Sequence, residues 1–327
     1  MQDNIDKKPV FIINAHKGPV ISLSISNNNR FLLSSSGQFI DYYGNIVFTD
    51  NSICLWDLNT GKLLNKWKNT PFEINESGYI NTAFINYSLF LTTGPGSIIN
   101  IISIKNSNIN KKLGEENHNI KSMKFVNSKN MLLTGGDYRD KSIKLWDINS
   151  GKCINTYKSH QWDVDSVDVS PDADKIISTS SLYDDKPILL WEFNKSLPVK
   201  KLGSINMRIT SCIFISNKYI LSTGEDKVIR LWDTYEGKTV KAYEGTEGYP
   251  YAVKYMFKKN IIVAGASSFI KGMDNYIYFW DLKESKLLNR LFKHSSGINK
   301  LIISNGEKLI ITGCNDGKIY IWKNPFV

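Results

Sequence analysis

The 327-residue chain is poor in the residues that catalysis, metal binding and disulfide scaffolds need. Its four cysteines, Cys54, Cys153, Cys212 and Cys314, lie far apart, with no C-x-x-C pair and no histidine at zinc spacing. That pattern excludes a disulfide framework or a structural zinc site, and points to reduced thiols in a cytoplasmic or nuclear protein. No apolar run reaches the ~20 residues a spanning helix needs, and the start, "MQDNIDKKPVFIINAHKG", has no signal-peptide core. A soluble protein with no membrane partner is expected. Helical periodicity is absent as well, so no glycine-rich phosphate loop opens onto a helix. Only five of the 41 basic residues are arginine. The formal charge of +10 is therefore carried by scattered lysines, in a Lys-, Ile- and Asn-rich usage typical of AT-rich coding sequence. A charge excess of that kind supports non-specific association; nucleic-acid sites cluster arginine and lysine on one face.

What the chain has in abundance is repetition. "SICLWDLNTGKLL", "SIKLWDINSGKCI", "VIRLWDTYEGKTV" and "YIYFWDLKESKLL" begin at Ser52, Ser142, Val228 and Tyr276. Trp146, Trp191, Trp232, Trp280 and Trp322 are spaced by 45, 41, 48 and 42 residues, and Trp56 lies 90 residues before Trp146, which is two periods. "GSIINIISI", Gly96 to Ile104, fills the gap, with Ile102 in the tryptophan place. Seven units result. Each reads as four short β-branched runs separated by Asn, Asp, Gly, Ser and Pro, the signature of antiparallel meanders. One four-stranded sheet cannot bury both faces; stacking such sheets radially covers them.

Five W-[DE] pairs at this period resemble the WD40-repeat β-propeller family over almost the whole chain. The alternative, a kelch-type propeller, has a longer period. The expected fold is all-β: a seven-bladed β-propeller of four-stranded antiparallel blades forming one domain, 1–327. The blades run roughly 16–70, 71–113, 114–159, 160–203, 204–245, 246–293, and 294–327 plus strand 8–15. The last unit ends at "KIYIWKNPFV" without a fourth strand. Pro9–Asn14 is expected to supply it beside Lys318–Trp322, closing the ring.

The resemblance also assigns the histidines. In this family a His before the first strand bonds an Asp in the turn before the Trp strand. It also bonds a second-strand Ser or Thr, which reaches the Trp indole. His16, Ser34, Asp50 and Trp56 match in blade 1, and His160, Ser178, Asp185 and Trp191 in blade 4. His294, Thr312, Asp316 and Trp322 match in blade 7. Each His is 18 residues before the hydroxyl, and each Asp six before the Trp. Thr134, Asp140 and Trp146 fit in blade 3, but His118 is only 16 residues before Thr134, with Glu116 in the expected place. Blade 5 keeps Ser222, Asp226 and Trp232 without a His; blade 6 keeps Asp274 and Trp280, with Ala264 replacing the hydroxyl.

With the histidines so engaged, no catalytic residue, cofactor or metal ligand is assigned, and the chain is read as a non-enzyme. Function is placed on loops. "GQFIDYYGNIVFT" (Gly37 to Thr49), "GGDYR", "SSLYDD" and "GASSFIKGM" are enlarged turns on the rim shared with the loops that lead into each blade. They contribute Phe39, Tyr42, Tyr43, Tyr138, Arg139, Tyr183 and Phe269; the incoming loops add Trp162, Arg208, Tyr249 and Tyr251. Exposed aromatics and arginine are the residues that interface hot spots use. The resemblance implies a scaffold that binds protein or peptide partners on this rim, as a monomeric ring within a larger complex. The rivals are an RNA-processing or chromatin component contacting nucleic acid through its basic surface, and a ubiquitin-ligase substrate receptor. That last subgroup carries Arg two residues after the Asp of "WD", where this chain has Asn59, Asn149, Tyr235 and Lys283.

Overall fold

A computed structural model describes residues 8–40, 46–68, 80–94, 98–114, 119–180, 187–203, 208–267, 275–292 and 294–327. Seven four-stranded sheets are formed, each in antiparallel meander order. Blade 1 pairs Val20–Ile25, Phe31–Ser36, Ser52–Asp57 and Leu63–Lys68; blade 4 pairs Val164–Val169, Lys175–Ser180, Ile188–Glu192 and Lys200–Leu202. The fold is a seven-bladed β-propeller, and the enlarged turn of blade 1 contains a short ribbon of Gln38–Ile40 with Ile46–Thr49. The chain divides into two compact units, 1–70 with 245–327 and 71–244.

In the first unit, the seventh sheet is completed by the start of the chain. Phe11–Asn14 pairs antiparallel with Lys318–Lys323, in the register Phe11 to Ile321 and Asn14 to Lys318. Beyond the strand, the backbone N–H groups of Ala15 and His16 both donate to the Gly317 carbonyl. The strand alternates as a sheet edge must: Ile13 is buried, while Val10 and Ile12 are 42 % and 50 % exposed. Val10 and Ile12 therefore face outward, because a period of two puts every second side chain on the other face.

The strand Leu309–Cys314 of blade 7 is buried on both faces, since within its unit blade 7 packs against blades 1 and 6. Close approach sets the residue type there: a Cβ on Gly313 would lie 2.5 Å from Val20 Cγ1 of the next blade, so glycine is required. Fourth strands are edges, and Lys238–Tyr243 is exposed except at the half-buried Lys241 and the buried Tyr243. Lysine along such an edge discourages pairing with another chain.

Six blades carry a register shift at the same place, the start of the first strand. In blades 3 and 4 it lies at Ile120/Ser122 and Val164/Ser166. Such a bulge leaves one residue out of the ladder and re-aims its side chain; here those residues are Lys121 and Asp165.

Candidate functional site

The registers Ile120 to Gly136 and Val164 to Ser180 put the start of each first strand beside the end of the second. The incoming loops and the turns before the Trp strands thus share one rim. Beneath it lie the hydrogen-bond networks. In blade 1, Trp56 Nε1–H donates to Ser34 Oγ at 2.9 Å, and Ser34 meets His16 Nε2 at 2.8 Å. On the other side of the ring, His16 Nδ1 lies 3.1 Å from Ser52 Oγ, whose proton goes to Asp50. Ser52 must then accept from His16, so Nδ1 carries a proton. Burial raises the Asp50 pKa, but hydrogen bonds from His16, Ser52 and the Lys17 amide outweigh it and hold the carboxyl well below its usual range.

Blade 4 repeats the core of this arrangement: His160 Nε2 to Ser178 Oγ, 2.7 Å, and Trp191 Nε1–H to Ser178 Oγ, 2.8 Å. Asp185 lies outside the described residues, as do His118 and Asp274. Trp146 donates to Thr134 and Trp232 to Ser222. Asp140 accepts from Ser142 and pairs with Lys144, while Asp226 pairs with Arg230. In blade 6, the buried Trp280 indole N–H has no partner among the described residues; Ala264 offers none, and the ring stacks on Tyr278 instead.

Blade 7 departs from the expected network. His294 Nε2 meets Thr312 Oγ1 at 2.8 Å, but its Nδ1 meets the Asn275 carbonyl rather than Asp316. Asp316 accepts from Ser295, whose hydroxyl occupies the place expected for the imidazole. Trp322 Nε1 has no hydrogen-bond partner among the described residues; His294 packs against its ring, with centroids 5.3 Å apart. Sequence reasoning missed Ser52, Ser142 and Ser295; for the first two, the D-x-S spacing of Asp50–Ser52 and Asp140–Ser142 was legible.

Burial lowers the His294 pKa from 6.5 to about 4. Between those values the unfolded chain takes up a proton that the folded chain refuses, so stability falls as pH drops from 6.5 to 4 and this contribution is flat outside that window. The full effect is about 3 kcal/mol at ~1.4 kcal/mol per pH unit. Urea titrations at pH 7 and pH 4 should show it, and His294→Gln should remove that share of the slope. An unchanged slope in the variant would place the pH sensitivity elsewhere.

Ser295 also touches Lys318 Nζ and Tyr320 Oη, each at 3.0 Å. The hydrogen bond to Asp316 raises the Lys318 pKa, so its ammonium keeps its protons and cannot activate the hydroxyl. Cys54, Cys212 and Cys314 are buried; burial pushes the Cys54 thiol up to about 11.

On the rim of the second unit, the structure brings together four of the sequence-derived residues. Tyr138 is 56 % and Trp162 39 % exposed. Arg139 lies near the Tyr138 ring and is tied to Asp137, and Lys141 Nζ sits 5.7 Å from the Trp162 ring centroid. Beside them runs a chain of charges: Lys121 Nζ contacts Asp163 at 2.5 Å and Asp165 at 3.4 Å, and Arg208 reaches Asp165 at 3.2 Å and Glu225 at 3.9 Å. The two bulges aim Lys121 and Asp165 at one another across neighbouring blades. Asp163 Oδ1 and Asp165 Oδ2 stay buried without a partner among the described residues. In the first unit, Tyr249 and Tyr251 are half-buried strand residues of Tyr249–Met256, not loop residues. Tyr42, Tyr43, Tyr183 and Phe269 lie outside the described residues, and for Phe39 only its place in the ribbon is described.

Seven meander sheets and tryptophans tied to second-strand hydroxyls define a propeller of the Trp-Asp repeat class. Residues 7–57, 110–147, 151–192, 198–233 and 285–323 match the WD40 family, "WD domain, G-beta repeat", and the chain belongs to that family. Most of blades 2 and 6 falls outside those matches. Similar proteins include human apoptotic protease-activating factor 1, 25 % identical over 56 % of this chain and 14 % of its own length. Autophagy-related protein 16 of Arabidopsis thaliana is 24 % identical over 59 % of this chain and 36 % of its own. The WD repeat-containing protein WDS homolog of the same plant is 22 % identical over 98 % of this chain and 58 % of its own. The chain thus spans less than two thirds of the length of these relatives.

Proposed function

We propose that this chain is a noncatalytic scaffold whose rim binds a protein or peptide partner, with Tyr138 and Trp162 as its anchors. WD40 propellers are generally protein-interaction scaffolds and typically noncatalytic. The observation that carries the reading is the pair of exposed aromatic rings beside a charge network locked by strand bulges. A rigid frame that presents aromatic rings loses little ordering entropy on binding, and such rings dominate binding energy where they are found. The similar proteins are named for apoptosis, autophagy and a WD repeat, so the repeat itself does not select one partner.

The double variant Trp162→Ala, Tyr138→Ser is expected to melt within a few degrees of the parent, because both side chains are substantially exposed. Recovery of native partners by affinity purification and mass spectrometry should fall at least about tenfold, a cautious figure for two anchors. Lys200→Ser with Lys201→Ser, on the edge strand of blade 4, serves as the control. Unchanged recovery by a folded aromatic variant would move the binding surface off this rim.

A further inference from the structure

The opposite face of the first unit carries a feature that the scaffold reading does not use. Three turns, 26–30, 256–260 and 304–308, join the first and second strands of blades 1, 6 and 7, and side chains tie them together. Asn29 Nδ2 donates to the Asn305 carbonyl at 2.7 Å, and the Asn305 amide donates back to Asn29 Oδ1 at 2.8 Å. The Lys258 amide reaches Glu307 Oε1 at 3.3 Å. The neighbouring outer turn joins through the Leu58 amide on the Arg30 carbonyl, and the last strand's end through the Asn324 amide on the Lys308 carbonyl. The result is one continuous, internally bonded surface.

Its exposed charge is mostly positive. Lys62, Lys258, Lys259, Lys308 and Lys323 are all exposed, and none forms a salt bridge with a described residue. Of the carboxylates nearby, Glu284 is exposed and the others are engaged or buried. Asp57 accepts the amides of Asn59 and Thr60, Asp281 those of Lys283 and Glu284, and Glu307 is buried. Among these lysines stands Phe257, 60 % exposed at the tip of its hairpin. It does not fold back: its ring meets Tyr255 edge-on at 4.8 Å, and Tyr255 is anchored by its hydroxyl to Asn260.

We propose that this face docks on an anionic lipid surface, with Phe257 entering the headgroup region and the lysines resting at the phosphates. Lysines surrounding an outward ring are the composition of interfacial anchors, where the apolar group sinks and the ammonium groups stay in water. A bilayer accepts a lone ring at any point, whereas a folded acidic partner needs a pocket matched to it. Single-stranded nucleic acid needs several stacking platforms, and among the described residues this face offers one exposed aromatic and one arginine, Arg30, paired to Asp57. The absence of a membrane partner was expected from the lack of a spanning segment; surface docking requires none.

The test is co-sedimentation of the full chain with vesicles of phosphatidylcholine alone, and with vesicles in which about a third of the lipid is phosphatidylserine. Binding is expected only to the anionic vesicles, and it should disappear at about 0.5 M salt, where charges are screened within a few ångströms. Lys258→Ser with Lys259→Ser should weaken binding roughly 25-fold, at about fivefold per lysine near such a surface. Phe257→Ser should weaken it several-fold without altering the melting temperature. The charge-matched Lys200→Ser, Lys201→Ser variant should bind like the parent; an equal loss there makes the attraction one of net charge and overturns the proposal. Equal binding to neutral vesicles overturns it too. So does binding to polyglutamate or a single-stranded oligonucleotide through the same three residues with no vesicle binding, which would replace lipid by an acidic protein or a nucleic acid.

Discussion

A chain lacking residues 1–15 is expected to aggregate, or to melt at least about 10 °C below the full protein, since a domain of this size moves only a few degrees per kcal/mol. The deletion removes all four paired residues of the strand that completes blade 7, and the Ala15 amide bond beyond it. Ile13 and Ala15 leave the core they share with Val20, Leu32, Ile319 and Ile321. The ladder side of Lys318–Lys323 becomes an open edge, a template for pairing between chains. Point variants separate strand pairing from a loosely attached arm. Ile13→Ala should cost about 3 kcal/mol as a buried large-to-small change. Ile12→Ala, half exposed on the other face, should cost under ~0.5 kcal/mol. Equal costs in denaturant titrations would mean that the strand is out of register, and a deletion that melts with the parent would refute the closure.

The second large effect is expected at a single hydroxyl. Ser34 is fully buried and serves both the Trp56 indole and the His16 imidazole. Ser34→Ala strands both groups, at about 1–3 kcal/mol each, so the loss should be about 4 kcal/mol. Ser222→Ala strands only Trp232, for blade 5 has no histidine; it should cost about half as much. Thr312→Val strands His294 alone, because Trp322 does not use that hydroxyl. Urea titrations of the three variants at pH 7 rank them. If Ser34→Ala and Ser222→Ala cost the same, the hydroxyl is not shared.

Blade number and strand order were legible because both follow from short-range pattern. Alternation marks each strand, turn residues mark its ends, and the Trp period counts the units. The D-x-S pairs of blades 1 and 3 were equally local, though they become meaningful only with the hydroxyls seen on the carboxylates. The departure of blade 7 was not legible. Its His stands 18 residues before the hydroxyl and its Asp six before the Trp, as in blade 1, yet Ser295 takes the carboxylate and the Asn275 carbonyl takes the imidazole. Spacing states who is within reach, and competition among several donors for one acceptor decides who bonds.

By itself, the sequence determined the fold class, the seven repeats and the closing role of the strand within Pro9–Asn14. These rest on periodicity and composition, which act along the chain. Tertiary structure decided which aromatic residues face solvent: Tyr138 and Trp162 do, Tyr249 and Tyr251 are half-covered, and Phe257, which the sequence did not mark, is among the most exposed. It also decided that Lys121 and Asp165 meet across two blades, through bulges no local pattern announces. Exposure and cross-blade pairing depend on what the neighbouring sheet brings, and residues some 40 positions apart in the chain carry no local signal of that contact.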